Sequence, residues 1–190
     1  LAPMYRGTAG IDAINQLMQE LLNPLQKGQF SFEASQFHYR TSDKVIHLVN
    51  DAEVNVFNGD LGYITDLIPG KYTESKQDEI VIDFDGNEIS YPRNEWYKIR
   101  LAYAMSIHKS QGSEFPVVIL PITSASKRML ERNLIYTAIT RAKSKLILLG
   151  ELQAFDYATK HIGTARKTYL IERFSDLTES SEEATEPILE

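Results

Sequence analysis

An α/β sheet domain interrupted by a small antiparallel barrel is the fold class that this 190-residue chain predicts. Apolar runs at 117–120 and 146–149 alternate with helix-patterned stretches, the signature of buried strands covered by helices. Between about residues 40 and 97, short β-rich runs are separated by Asn-Gly and Asp-Gly turns, which predicts hairpins. A content of 43% hydrophobic and 24% charged residues, with 10 Gly and 7 Pro, is globular and sufficient for one ordinary domain or two small ones.

The elements follow in order. Leu1-Ala2-Pro3-Met4-Tyr5 reads as the end of a strand whose beginning is missing, which suggests an excised piece of a longer protein. After the turn Gly7-Thr8-Ala9-Gly10, the residues Ile11, Ile14, Leu17, Met18, Leu21 and Leu22 fall on one helical face, and Asn23-Pro24 ends the helix. Runs at 44–49, 54–57, 62–65 and 79–84, with a return run at 88–91, predict the barrel strands. A strand ends near Ile107, a helix is predicted over 130–142, and two more follow at 152–161 and 166–174. The simplest assembly joins 1–39 and 98–174 as one α/β domain with the barrel, 40–97, inserted in a loop. Residues 175–190 are acidic and apolar-poor and read as a disordered tail.

Charge is divided unevenly along the chain. The net charge is −6, but residues 40–97 hold 5 bases against 12 acids, whereas residues 98–173 hold 13 bases against 5 acids. A basic face of that size is felt by an anionic partner within a Debye length, although ordinary solvated surface is the plainer reading. Zero cysteines exclude a disulfide scaffold, cysteine-ligated zinc and a thiol nucleophile. No apolar run is long enough to cross a bilayer and no signal peptide opens the chain, so no membrane partner and a cytoplasmic location are expected. His38, His47, His108 and His161 are scattered without zinc-ligand spacing, no metal ligand is assigned, and His47 reads as a packing residue within a strand.

Three stretches carry chemistry. Ser106-Ile107-His108-Lys109-Ser110-Gln111-Gly112-Ser113-Glu114-Phe115 lies between two buried strands. It is either a polar connector or a loop for phosphate and ribose contacts at a strand end. Leu134-Ile135-Tyr136-Thr137-Ala138-Ile139-Thr140-Arg141-Ala142-Lys143 places Thr137 and Arg141 on one helical face, the Arg near the C-terminus. That Arg is either a surface residue favoured by the helix dipole or a planar guanidinium aimed across a cleft at a phosphate. Pro3-Met4-Tyr5-Arg6-Gly7-Thr8 puts a ring beside a cation at a strand end, suited to stacking on a base and touching a phosphate.

Together, in this order, the three stretches resemble motifs IV, V and VI of the RecD/TraA-type superfamily 1 ATP-dependent DNA helicases, over residues 1 to about 150. The resemblance implies a RecA-like second motor domain of P-loop NTPase type (2A) with an inserted SH3-like barrel (2B). It implies that Arg141 is an arginine finger on the ATP γ-phosphate, Arg6 a second contact there, and Tyr5 an adenine-stacking ring. Gln111, Gly112 and Glu114 would line the nucleotide. Ser106, where many members have Thr, would face single-stranded DNA together with His108, Lys109 and Thr137.

What this stretch lacks matters equally. The only Gly-Lys, Gly70-Lys71, is followed by Tyr72 and has Thr65 where a phosphate-cradling loop needs its first glycine, so it reads as a turn. Residues 80–85 look like a Walker B strand, but Gly86-Asn87 and the return run make them a hairpin. The resemblance therefore implies ATP and Mg²⁺ in a full-length enzyme, held by an N-terminal motor half, and no hydrolysis by this stretch alone. The partners implied are that half, single-stranded DNA and a duplex junction in recombination or repair. The acidic barrel would act by shape there, with Lys71, Lys76 and Arg93 as its cationic contacts. A stand-alone nucleic-acid or protein binding module working through the barrel is the alternative.

Overall fold

A computed structural model describes residues 1–163. The predicted 166–174 helix and the acidic tail lie outside the described residues. Two buried clusters organise the rest, one in a β-rich unit and one in an α/β layer.

Helix α1, Ile11–Leu22, ends at Asn23 as predicted, but it buries a different face. Ile11, Asn15 and Gln19 are its buried residues, while Leu17, Leu21 and Leu22 are exposed. The two faces share Ile11, and hydrogen bonding explains the displacement. The Asn15 amide donates to the Ala104 carbonyl at 2.9 Å and its oxygen accepts from the Ala104 N–H at 2.8 Å. Gln19 donates to the His38 carbonyl and to Asp43. Buried polar groups are tolerated when paired in this way.

A hairpin that sequence reasoning missed, β1 (Phe32–Ala34) and β2 (Phe37–Tyr39), turns through Ser35 at φ 57°. The five-stranded sheet follows, from β3 (Lys44–His47), β4 (Leu61–Ile68), β5 (Glu79–Phe84), β6 (Asn87–Pro92) and β7 (Ile99–Leu101). Its order is β6-β5-β4-β3-β7, antiparallel throughout. The β5–β6 hairpin turns at Asp85-Gly86, both with positive φ, as that dipeptide predicts. A register shift between Ile64 and Asp66 lets Ile64 and Leu67 both face the core despite their odd spacing. Gly62 is required by close approach, because a Cβ there would meet the Asp83 carbonyl at 2.7 Å.

Two expectations are corrected. The sheet is open rather than a closed barrel, since no ladder joins β6 to β7. The 3-10 segment Arg93–Lys98 spans that gap, and Trp96 fills it, stacked on Phe32 at 5.4 Å and donating to the Tyr91 carbonyl. Residues 54–57 are not a strand. Asn55 takes φ 54° in a turn, and a single bridge, Asp51 to Val56, remains, although Val56 still packs in the core. The buried cluster also draws on both flanks of the predicted 40–97 span, from Phe32 to Leu101. His47 is fully buried in it, between Phe84 and Tyr91.

The α/β layer holds β8 (Phe115–Ile122) and β9 (Ala142–Gly150), which pair in parallel. The Leu1 nitrogen donates to the Ile119 carbonyl, and Ala2 bridges Ser106 in parallel, extending the sheet beyond β8. Helix α2 runs from Arg132 to Ile139, shorter than predicted at both ends. A 3-10 turn, Ser124–Met129, precedes it, and β9 begins three residues after it. Helix α3, Leu152–Lys160, completes the layer, and both helices pack through Leu134, Ile135, Ala138, Ala154 and Ala158 onto Leu120 and Ile122.

Candidate functional site

The parallel register of β8 and β9 sets Phe115 opposite Ala142, so the loop preceding β8 meets the residue preceding β9. The Phe115 N–H donates to the Arg141 carbonyl at 2.8 Å. The Arg141 guanidinium then turns into that loop. Its Nη1 donates to the Ser113 carbonyl at 3.0 Å, its Nε to the Thr137 carbonyl at 3.2 Å and its Nη2 to the Thr140 hydroxyl at 3.2 Å. Three of its five N–H donors are thus engaged and two are left, on a half-buried group. A cation held this way is positioned before any anion arrives.

The loop itself is wound tightly. The Ser110 N–H donates to Ser106 and Ile107, the Gln111 N–H to His108, and the Ser113 N–H to Ser110. Gly112 sits at φ +86°, which favours glycine, and Ser110 is fully buried with its hydroxyl on the Ile107 carbonyl. Gln111, Gly112 and Glu114 face solvent near Arg141, and Glu114 pairs with Lys143 at 3.2 Å, an exposed contact of small energetic worth. Thr137 stands on the Arg141 side, its hydroxyl donating back to Asn133.

Ser106 and Lys109 lie at the other end of the loop. Ser106 is buried beside Ala2, and its hydroxyl accepts from the Lys109 N–H. His108 is exposed. The Lys109 ammonium bonds to Asn58, a residue of the β3–β4 excursion, so the open sheet touches this loop directly.

Arg6 and Tyr5 are not brought to Arg141. They line a cleft with Ser124–Met129, beyond the C-terminal end of β8, whereas Arg141 sits at its N-terminal end. Eight residues of strand separate the two places, about 23 Å at the usual rise. The Tyr5 ring is instead covered by Arg100, which also lies over Phe37. Shared order along the sequence could not reveal that the strand end carrying Tyr5-Arg6 and the strand start following Arg141 point to opposite edges.

In the open sheet, Arg93 is engaged by Trp96 and Asp78, and Lys71 lies over Tyr72. Gly70–Tyr72 forms a 3-10 turn whose first N–H donates to Asp78. Under this sheet, Asp43 joins β3 to α1. Its buried carboxylate accepts from Gln19, Asn23, the Tyr103 hydroxyl and the Arg40 N–H. Burial pushes this carboxyl up, and the four donors pull it back. Among the described residues no group of three acidic or histidine side chains could hold a metal, and no helix is long and apolar enough to cross a membrane.

Comparison with known proteins matches this layout. A UvrD-like helicase C-terminal domain model matches residues 101–149, the α/β layer with the Arg141 loop. The model of the ATP-dependent RecD-like DNA helicase SH3 domain matches residues 14–84, most of the open sheet. The chain belongs to the RecD-like helicase family. This RecD-like chain is 34% identical over 173 residues to the ATP-dependent RecD2 DNA helicase of Deinococcus radiodurans, covering 91% of itself and 23% of that protein. It is 30% identical over 145 residues to the RecBCD enzyme subunit RecD of Mycolicibacterium smegmatis, covering 76% of itself and 24% of the subunit. It therefore spans about a quarter of these two relatives. Among solved structures, it superposes on the Pif1 helicase from Bacteroides in complex with ADP-AlF3 and ssDNA with a TM-score of 0.55 at 20% identity, covering 95% of itself and 45% of that chain. Against the Pif1 helicase of Candida albicans the TM-score is 0.54 at 16% identity, covering 93% of itself and 49% of that chain. These two likenesses concern the fold.

Residues that sequence reasoning passed over are Ser113, whose carbonyl seats Arg141, Asn58 against Lys109, and Lys127 and Arg128 beside Arg6. The Lys127-Arg128 pair was visible as two adjacent bases in the basic segment.

Proposed function

We propose that this chain is the C-terminal motor part of an ATP-dependent DNA helicase, with Arg141 the arginine finger. The observation that supports it is the seat of Arg141: three hydrogen bonds fix the guanidinium between the 106–114 loop and α2 while two donors stay unspent. The relatives named as DNA helicases are several times longer, which fits an N-terminal half that holds ATP and Mg²⁺. The bound nucleotide supplies a cleavable phosphoanhydride; the residues of this chain supply charge and position.

Arg141 faces one side of the nucleotide, with Gln111, Gly112 and Glu114 on the same loop. A planar, permanently charged fork stabilises charge on phosphate oxygens at little reorganisation cost. Ser106, His108 and Lys109 take the strand side, and Thr137 packs behind Arg141. The same nine residues, 106–114, touch both ends, and the Ser113 N–H donates to Ser110, the neighbour of Lys109. The open sheet, with its excess of acids, contributes shape near the duplex junction rather than a general phosphate grip.

The test is Arg141→Ala in the full-length protein. ATP turnover falls by about 10³-fold or more, while nucleotide binding is retained. Unchanged turnover refutes the role.

A further inference from the structure

We infer that Asn58 is a positioning residue for strand binding: its side-chain oxygen holds the Lys109 ammonium in one place and leaves the charge of that ammonium unspent for a DNA phosphate. This role rests on the reading above that Lys109 meets the strand, and it gives the open sheet a specific part in that contact.

Each side of the contact is fixed independently. Asn58 lies in the excursion 48–60 between β3 and β4. The Gly59 N–H donates to the His47 carbonyl at 2.9 Å and the His47 N–H to the Asp60 carbonyl at 2.8 Å, which closes the base of the excursion. Its tip is tied by the Asn58 N–H on the Asn50 side-chain oxygen at 2.9 Å and by the Phe57 N–H on the Asp60 carboxylate at 2.7 Å. From β6, the Asn87 amide donates to the Val54 carbonyl at 2.8 Å. On the other side, the Lys109 N–H donates to the Ser106 hydroxyl at 3.2 Å, and the nearby Ile107 and Ser110 are buried. The Lys109 ammonium then donates to Asn58 across 51 residues of sequence.

The acceptor is neutral, and that decides what the contact does. An ammonium held by a carboxylate has its charge compensated before a phosphate arrives. One held by an amide oxygen is oriented and remains a full cation. Lys98 shows the first case, since Asp51 and Glu95 take its ammonium at 3.0 Å and 2.8 Å. Lys109 shows the second, forming no ion pair among the described residues. The acids of the excursion leave it alone: Asp51 is engaged by Lys98, Asp60 accepts from the Phe57 N–H, and Glu53 is exposed.

A single hydrogen bond to an exposed amide adds little to folding, but it acts on binding. A long lysine side chain gives up rotamer freedom when a phosphate fixes it. A side chain already held has given up part of that freedom beforehand, so the strand binds more tightly. With three N–H donors, the ammonium keeps Asn58 and takes a phosphate oxygen at the same time.

The experiment measures oligo-dT binding by the full-length protein without ATP, over a series of salt concentrations. Lys109→Ala lowers the slope of log K against log salt by about 0.7, the value for one phosphate on a single strand. Asn58→Asp supplies the missing carboxylate and lowers the slope by the same amount, about 0.7, although every cation is retained. Asn58→Ala keeps the slope but weakens binding about two- to tenfold at each salt concentration, and this loss disappears in the Lys109→Ala background. A slope unchanged by Lys109→Ala overturns the strand reading of Lys109 and the Asn58 role with it. A lowered slope for Lys109→Ala, beside wild-type slope and affinity for both Asn58 variants, overturns the positioning role alone. A loss in Asn58→Ala that persists undiminished in the Lys109→Ala background shows that Asn58 acts without Lys109 and likewise overturns that role.

Discussion

The Arg141 guanidinium donates to the Ser113 carbonyl at 3.0 Å, which ties the end of α2 to the loop that enters β8. The contact is geometric as well as electrostatic, because a second bond, the Phe115 N–H on the Arg141 carbonyl, joins the same two segments.

Replacing the fork by an ammonium tests the geometry apart from the charge. Lysine keeps the charge but cannot reach Ser113, Thr137 and Thr140 together. Arg141→Lys in the full-length protein recovers less than about a tenth of wild-type ATP turnover, compared by steady-state hydrolysis with the Ala variant. Full recovery shows that charge alone suffices.

Asp43 is the joint between the open sheet and α1. Asp43→Ala leaves Gln19, Asn23, Tyr103 and the Arg40 N–H facing an empty buried site. Chemical denaturation shows a loss of about 3 kcal/mol or more, whereas Tyr103→Phe, which removes one of the four bonds, costs about 1 kcal/mol. Equal losses for both would contradict a shared hub.

Trp96 closes the side of the sheet that lacks a ladder. It is 5% exposed and stacks on Phe32. Trp96→Ala destabilises the protein by about 3–5 kcal/mol, read from urea unfolding. A loss under about 1 kcal/mol indicates that the gap tolerates solvent.

Alkali weakens the β-rich unit. Burial pushes the phenols of Tyr39 and Tyr91 up to about 12, whereas an unfolded tyrosine ionises near 10. Across that window the folded chain holds more protons than the unfolded one, so stability falls as pH rises. The contribution of these phenols is complete below about pH 10 and is lost by about pH 12. Denaturant midpoints drop through this range, and phenolate absorbance titrates late in the folded protein. Two phenols ionising near 10 without unfolding would contradict their burial.

Much of the fold was legible because local physics dominates it. Asp85-Gly86 fixes a hairpin by its positive φ angles, the Asn23-Pro24 pair stops a helix, and the runs at 117–120 and 146–149 form paired strands. Their expected burial holds only for Val118 and Leu120, because Val117, Ile119, Leu148 and Leu149 are exposed and β9 has no buried residue. The α1 face was misread for a complementary reason. Periodicity marks Leu17, Leu21 and Leu22 as a stripe, but it cannot show that Asn15 and Gln19, on the adjoining face, find backbone partners. Residues 54–57 deceived in the same manner, since Val56 is buried without a strand to carry it.

By itself the sequence determined most of the element types, the order of the three motif stretches, the division of charge between two units and the residue types able to meet phosphates. Tertiary structure alone decided which of those residues share a place. Arg141 meets Ser113 because two strands begin side by side, and Arg6 is sent to the far edge because its strand ends there. Strand direction sets which end of a sheet a loop occupies, and that direction is a property of pairing between distant segments, which no local pattern encodes.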